Sequence, residues 1–366
     1  MNMCKSFKVK FLVAIICFLS TNIFCQSIES DSTKKNKLTV FPLIGYTPET
    51  SLAFGLITNF MFFTADSSEY NRPSNIQPVF IVSIKKQFLF YGKTNLYFKN
   101  GFKYSMRLDV LSFPNSYFGI GNTSLGENEE TISPLSVLIK PVLVKEFNGK
   151  VFIGGQVDFD AHKISFDSIS KINMDQPLGI NGGIVFGIGS KFQYDSRDDI
   201  LYPTKGAYID FDIIYYMNAG FTDYEYFNIK FNAKKYVHIK NEKNIIAMSI
   251  MSNNNFGNSP YYRYPLIGGA NRIRGLYFTR FTDKFAYFSQ YEYRRHIWKR
   301  FSAAGFFAFG QVSDKFMNFN IKETKCGGGL GLRFQLTKNQ KLNLRLDYAW
   351  ASDNSSGFYL SLGEAF

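Results

Sequence analysis

Hydrophobic and polar residues alternate one by one along most of the chain beyond residue 37. From Phe227 to Lys234 the odd positions are apolar and the even positions polar, and from Leu342 to Asp347 the even positions are the apolar ones. Successive side chains of a β-strand point to opposite faces. This period of two therefore predicts strands with one apolar and one polar face, and not helices.

Sixteen segments with this pattern follow one another, and they predict an all-β chain that closes into a transmembrane antiparallel β-barrel. An even strand number, with strands long enough to cross a bilayer at a tilt, is typical of single-chain barrels of the bacterial outer membrane. A soluble β-sandwich would show the same alternation, so other features must decide between the two. The predicted strands are 38–45, 51–63, 76–86, 88–99, 102–113, 132–146, 149–162, 183–194, 206–216, 225–238, 242–252, 284–295, 301–312, 325–336, 340–350 and 357–366.

The N-terminal residues have the layout of an export signal. Lys5, Lys8 and Lys10 precede the apolar run 11–19, which is too short to span a bilayer as a helix. Polar residues follow this run and lead to Cys25. The predicted division of the chain is a cleaved signal peptide over 1–25, a short polar lead-in over 26–37 and an outer-membrane barrel over 38–366.

Cys25 leaves a second interpretation of the signal open, which is lipidation at that cysteine. Lipidation signals usually have leucine three residues before the cysteine and a small residue directly before it, whereas this chain has Asn22 and Phe24 there. Ordinary cleavage is therefore favoured. Beyond the signal only Cys326 remains, which excludes an internal disulfide and a zinc site built from several cysteines.

The aromatic content favours the membrane barrel over the sandwich. The chain has 40 Phe and 23 Tyr, yet its mean hydropathy is only −0.13. A barrel needs this combination, because one strand face meets lipid, the other lines a polar interior, and aromatic residues mark the two interfaces. The net charge of +13 comes from scattered lysines and arginines without basic clusters, so no nucleic-acid partner is expected. We expect the outer membrane of a Gram-negative bacterium as the location and its lipids as partners.

The longest interruption of the strand pattern, residues 253–283, contains an unusual segment. It includes the pair Gly268 and Gly269, which permits tight turns, and Arg274 followed by Gly275. A connection this long in a compact protein is usually functional. An arginine on a loop folded into a barrel lumen would need a carboxylate on the inner wall.

This segment resembles the Arg-Gly loop of the BamA/TamA family, also called bacterial surface antigens, in which a long loop folds back into the barrel and its arginine docks on the wall. Asp195 and Arg197, followed by Pro203 and Gly206, resemble the family's Asp-x-Arg turn. Further resemblance lies in 290–294, 329–334 and 344–348 and in the terminal aromatic insertion signal 358–366, with Gly363 and Phe366. These motifs follow the family order over residues 190–366.

The parity of a strand, meaning whether its odd or its even positions face the lumen, identifies an acceptor for the loop arginine. Tyr291 and Tyr293 share the apolar face of their strand, so Glu292 is predicted to face the lumen and to pair with Arg274, as the resemblance implies. The next strand departs from the family, which usually has aspartate where Ala308 stands. We therefore expect a docked arginine with one carboxylate fewer, so that Glu292 alone carries the pairing.

The resemblance implies a role in the insertion or translocation of polypeptides. Such family members normally carry periplasmic POTRA domains. We expect none between the predicted signal peptide and the first predicted strand, so a separate periplasmic partner would have to capture the clients. One alternative is a passive pore, in which inward Lys230, Lys234 and Arg345 would favour anions. An outer-membrane lipase is the other, but no convincing Ser/His pair is found. No nucleophile elbow, zinc-protease motif or phosphate loop occurs either, so we expect no enzyme, no metal and no cofactor.

Overall fold

The alternating segments form strands that pair in chain order, each antiparallel to the next. The structure is a computed structural model, and it describes residues 36–63, 73–167, 170–222, 224–241, 243–336 and 341–366. The predicted signal peptide and residues 26–35 of the lead-in lie outside the described residues. The strands are β1 Lys37–Thr47, β2 Ser51–Phe62, β3 Ser74–Ser83, β4 Phe88–Tyr97, β5 Phe102–Ser112, β6 Asn115–Tyr117, β7 Glu130–Phe147, β8 Val151–Ser165, β9 Gly182–Asp195, β10 Gly206–Tyr216, β11 Tyr226–His238, β12 Asn244–Gly257, β13 Phe285–Trp298, β14 Phe301–Ser313, β15 Lys325–Gln335, β16 Asn343–Ala351 and β17 Ser356–Leu362.

Sixteen of these strands close into a barrel, as the sequence predicts. The remaining strand, β6, is three residues long and pairs only with the start of β7. Closure occurs where β17 meets β1, and there the register consists of one residue pair, Tyr46 with Leu360. By comparison, β1 and β2 pair along their whole common length, from Lys37 to Thr47. The barrel is thus closed by a narrow seam.

The predicted strand boundaries differ from the observed ones by a few residues at most ends. The largest difference is in β12, which was predicted to end at 252 and continues to Gly257. The run Asn253 to Asn255 has the composition of a loop, but its backbone pairs with β13, and Asn228 of β11 donates to the side-chain oxygens of Asn253 and Asn255. Strand β6 and the short helix α1, Lys171–Asp175, were not predicted.

The strand faces have the polarity of a barrel that meets lipid on its outside. Outward side chains such as Phe54, Ile188 and Phe307 are apolar and exposed, whereas inward Gln156 and Asp212 are polar and buried. This is the reverse of a soluble barrel with an apolar interior. In the described part of the chain, no helix is long and apolar enough to cross a bilayer.

The connections differ at the two ends of the barrel. One end has short turns such as 148–150, 239–243 and 299–300, and the other end carries longer loops at 113–129, 166–181, 258–284 and 314–324. We call 258–284 the lumenal loop and 314–324 the rim loop. Short turns at one end and long loops at the other are usual for outer-membrane barrels, where the turns face the periplasm.

Candidate functional site

The lumenal loop folds back into the barrel and packs against the inner wall. Its Ile267, Ile273, Leu276 and Phe281 are fully buried against Ala286 and Phe288 of β13 and Ala308 and Val312 of β14. Two isolated bridges, Leu266 with Thr282 and Gly268 with Ile273, shape the loop internally. The segment is therefore a compact plug with its own apolar contacts.

Arg274 of the lumenal loop is buried inside the barrel, with 2% of its surface exposed. Its Nη2 is 2.7 Å from Oε2 of Glu292 on β13, so the predicted ion pair is present. Its Nη1 is 2.6 Å from Oδ2 of Asp347 on β16. The guanidinium also lies 3.4 Å from the ring centroid of Phe306 on β14. A planar guanidinium can bind two carboxylates along its edge and stack through its face at the same time.

The second carboxylate corrects the expectation that Glu292 alone carries the pairing. Ala308 does remove one possible acceptor, and it packs against the apolar side of the lumenal loop instead. Asp347 replaces it from β16, three strands along the wall from β13. The alternation around Leu346 and Tyr348 places Asp347 on the inner face, so the signal was present in the sequence. What the sequence could not show is that the loop reaches both strands.

Three further arginines surround the same two carboxylates. Arg333 of β15 lies 3.1 Å from Glu292 and 2.6 Å from Asp347. Arg294 is 2.8 Å from Glu292, and Arg345 is 3.5 Å from Asp347. All of these side chains are almost fully buried. A buried charge is stable only when it is paired, so the carboxylates hold the wall arginines and the loop arginine in one network.

Gly275 fixes the position of Arg274 in the loop. Its φ is +103°, and an added Cβ would lie 2.8 Å from the carbonyl carbon of Trp350 on the adjacent wall. Its N–H donates to the hydroxyl of Tyr359 on β17. Only glycine permits this approach. The predicted turn residues Gly268 and Gly269 lie at the loop's internal bridge, where the N–H of Gly269 donates to Leu276.

A second loop arginine, Arg263, also docks on the wall, and no motif in the sequence predicts this contact. Its Nη1 is 2.6 Å from Asp160 of β8, and its Nη2 is 3.2 Å from Asp158 and 2.5 Å from the hydroxyl of Tyr216 on β10. Burial alone would lower the pKa of Arg263, but Asp158 and Tyr216 together with nearby groups raise it well above its ordinary value. The plug is thus held at two places, on β13–β16 and on β8–β10.

Replacing Arg263 by alanine is expected to loosen this second attachment. Asp160 would keep His162 at 2.9 Å and Asp158 would keep Lys140 at 3.6 Å, so the loss should be about 1–3 kcal/mol of unfolding free energy. The measurement is the temperature at which the folded band disappears on unboiled gels. Arg272→Ala is the matched control, because Arg272 lies in the same loop without an ion pair among the described residues. An equal shift in both variants would contradict the assigned role.

The predicted Asp-x-Arg turn forms a self-contained structure at the short-turn end. Arg197 binds Asp195 through two nitrogens, at 2.9 and 2.8 Å, and its guanidinium stacks on Tyr208 at 4.5 Å. The turn 196–205 includes Pro203 and closes at Gly206, whose φ is +102°. These contacts are internal to the turn and its flanking strands.

The end of the described chain differs from the prediction. A strand was predicted to continue to Phe366, but β17 ends at Leu362, because Gly363 has a φ of +80° and turns the chain inward. Glu364 then accepts from Arg333 at 3.0 Å, and the main-chain oxygen of Phe366 accepts from Arg294. The Phe366 side chain is buried. Hydrogen bonds from the arginines of the inner wall thus hold these residues inside the lumen. That they act as an insertion signal stays a prediction.

The three residues predicted to favour anions in a passive pore differ in the contacts that they make. Arg345 donates to the hydroxyl of Ser361 and to the side chain of Asn271, in addition to its contact with Asp347, so it is part of the network and not a free cation. Lys230 lies on the inner wall and is registered opposite Asp212. Lys234 faces inward as well, stacking at 5.7 Å on Tyr208. Within the described residues, no group of three His, Cys, Asp or Glu side chains could hold a metal ion.

Comparison with known proteins agrees with this geometry. A family model described as the Omp85 superfamily domain matches residues 179–366, which include the lumenal loop and the wall around Arg274. No curated protein matches the chain.

Solved structures share the fold at low identity. BamA from Haemophilus ducreyi lacking POTRA domains 1-3 is 11% identical, with a TM-score of 0.64, over 90% of this chain and 70% of that one. CdiB from Escherichia coli is 8% identical, with a TM-score of 0.62, over 92% and 63%. CdiB from Acinetobacter baumannii is 10% identical, with a TM-score of 0.55, over 90% and 60%. The chain thus spans less than two thirds of either CdiB.

Proposed function

Because this chain belongs to the Omp85 superfamily, we propose that it acts in the bacterial outer membrane and helps to insert or translocate polypeptides. The observation that carries this proposal is the combination of a plugged lumen with a narrow seam. The lumenal loop fills part of the interior and is held by buried ion pairs. The seam between β1 and β17 is registered at one residue pair. A barrel with this construction is better suited to opening its wall than to conducting solutes.

The seam supplies a place where a client strand could pair. An intramolecular hydrogen bond contributes about 0.5–1.5 kcal/mol net, so opening a junction registered at one pair costs far less than separating β1 from β2. Residues Lys37 to Gly45 of β1 have no registered partner on β17 in the closed barrel, and opening frees Tyr46 as well. An extended polypeptide can add to such an edge through main-chain hydrogen bonds. The client would then leave laterally into the bilayer.

The strands on the β17 side of the seam are also short. β16 has nine residues and β17 seven, whereas β7 and β8 on another part of the wall have 18 and 15. Spanning strands usually need about 9–11 residues, so β17 falls short of this range and the apolar band is short on its side of the seam. On the other side, β1 and β2 have 11 and 12 residues. A bilayer adjusts to a short apolar band by thinning. Local thinning would lower the cost of passing a polar polypeptide backbone into the membrane.

The proposed role assigns tasks to the other predicted residues. Arg274 and Glu292 would keep the lumen closed while the seam opens. The turn with Asp195 and Arg197 would face the periplasm, where we expect a separate partner that captures clients. We propose neither enzymatic activity nor a cofactor. Export by a cleaved signal peptide over residues 1–25 belongs to the same proposal.

Depletion of the protein followed by analysis of the outer-membrane proteome tests the function. Loss of several unrelated barrels, restored by the wild-type chain, is the expected result for an insertion factor. An unchanged proteome together with altered uptake of small anions would contradict the proposal and favour the passive pore. Complementation by a chain with Arg295→Ala serves as a control, because Arg295 is exposed on the outer face of β13 and lies outside the site.

A further inference from the structure

The rim loop carries a run of exposed apolar side chains. Four of its side chains are apolar and exposed: Phe316 is 49% exposed, Met317 62%, Phe319 60% and Ile321 88%. Lys315 and Lys322 stand at the two ends of this apolar run, and both are exposed. An exposed apolar patch of this kind marks a surface that contacts a partner or a membrane.

This loop is held in place on the outer wall. The N–H of Met317 donates to the hydroxyl of Tyr287 at 3.1 Å, and Gln311 binds the main chain of the loop at Asn318 and Asn320. The ring of Phe316 packs 5.1 Å from that of Phe256. Tyr287 and Gln311 lie on the outward faces of β13 and β14. The apolar side chains are therefore presented beside the lipid-facing wall and not toward the lumen.

A groove of about 290 Å³ lies on the wall directly beneath the rim loop. Its lining includes Ile250, Ser252, Tyr287, Ser289 and Phe309 from the outward faces of β12–β14, with Phe319 of the rim loop above them. The two serines are small and leave the depression between larger neighbours. A narrow apolar groove on a surface that faces lipid fits an acyl chain.

We propose that the rim loop and this groove form a binding site for an anionic lipid of the outer leaflet. One acyl chain lies in the groove, the exposed side chains of Phe319 and Ile321 enter the leaflet, and Lys315 and Lys322 contact the phosphate. Lysines extend from an apolar surface to the headgroup level in this way. The loop also carries Asp314 and Glu323, so its formal charge is balanced. Glu323 accepts a hydrogen bond from the side chain of Asn320 at 2.8 Å. The contact with the phosphate therefore depends on the two lysine ammonium groups themselves and not on a net positive charge of the loop. The site is separate from the seam and does not depend on the polypeptide role.

Depth measurement tests where the rim loop lies. The whole chain, with Cys326→Ser and Ile321→Cys, is labelled with a small fluorophore and reconstituted in phosphatidylcholine vesicles that contain either phosphatidylglycerol or lipid A. Bromines near the top of the acyl chains are expected to quench the label. Asn354→Cys, in the exposed turn between β16 and β17, is the matched control and should stay unquenched. A label at 321 that is no better quenched than the control would overturn the proposal, as would burial against a second copy of the chain.

Lipid retention tests the groove and the lysines separately. Native mass spectrometry after detergent washing should show anionic lipid retained by the wild type and lost in Ser289→Phe, which fills the groove. Ser190→Phe, an exposed outward serine of β9, should retain it. Lys315→Gln with Lys322→Gln should weaken retention roughly fivefold for each lysine. Lys240→Gln with Lys299→Gln, at the opposite end, removes the same charge and should have no effect.

The two lipid compositions separate the sources of the phosphate. Selective retention of lipid A assigns the site to the glycolipid, and equal retention of both anionic lipids assigns it to anionic lipids in general. Retention that does not differ between anionic lipid and phosphatidylcholine would overturn the proposal. If Ser289→Phe fails to give a folded band on unboiled gels, the lysine variants decide the matter alone.

Discussion

Arg274→Ala is expected to release the lumenal loop from the wall and to lower the stability of the barrel by about 3 kcal/mol, near the lower end of what breaking a buried ion pair costs. The value lies at the lower end because Glu292 keeps Arg294 and Arg333 after the change. What disappears is the bridge from the loop to Glu292 and Asp347, together with stacking on Phe306. The measurement is the temperature at which the compact band is lost on unboiled gels, with export unchanged.

Two further variants make this result specific to the bridge. Arg274→Lys keeps the charge, but an ammonium group cannot bind two carboxylates along one edge or stack in the same way, so most of the loss should remain. Arg295→Ala removes an exposed arginine from the outer face of the same strand as Glu292 and should leave the transition unchanged. The docking assignment is wrong if Arg274→Ala melts at the wild-type temperature.

The sequence predicted the strands well because the barrel repeats one simple rule. Each strand has a lipid face and a lumenal face, so alternation reveals its position and its orientation without knowledge of the neighbours. The same parity placed Glu292 inside, and the structure places it 2.7 Å from Arg274. A run of asparagines interrupts the alternation in the last residues of β12, so the predicted strand ends several residues before the observed one.

Contacts between the loop and distant strands could not be predicted in the same way. Arg263 is 103 residues from Asp160 along the chain, and only the folded path of the lumenal loop brings them together. Parity shows that Asp160 faces inward, but it does not say which loop residue reaches it. The replacement of the missing carboxylate at Ala308 by Asp347 has the same cause, since the acceptor comes from a different strand.

The inward turn at Gly363 shows a further limit of parity. The alternation of β17 continues through Phe358 and Leu360 and gives no reason to end the strand at Leu362. The turn depends on partners from other strands, since Arg333 and Asn343 both bind Glu364. A strand end set by distant side chains cannot be recognised from the strand's own residues.

The narrow seam is also invisible in the sequence, yet the proposed function depends on it most. A disulfide across Tyr46 and Leu360 is expected to abolish the activity of the protein. These residues are direct partners, and both side chains point outward. Direct antiparallel partners lie about 4.5–5.5 Å apart at Cα, a distance that a disulfide can bridge. The test uses Tyr46→Cys with Leu360→Cys in a Cys326→Ser chain, and complementation of the depleted strain as the measurement.

A second disulfide, between β1 and β2, shows whether the effect comes from closing the seam or from a cross-link on β1 as such. Ile44 and Phe54 are partners across the fully registered junction of β1 with β2, and both are exposed on the outer face. A disulfide at Ile44→Cys with Phe54→Cys should leave complementation intact, because that junction stays closed in the proposed mechanism. Reduction should restore the seam variant to nearly wild-type activity. Full complementation by the oxidised seam variant would show that the wall between β1 and β17 does not open, and lateral release would have to be abandoned while the plugged barrel remained.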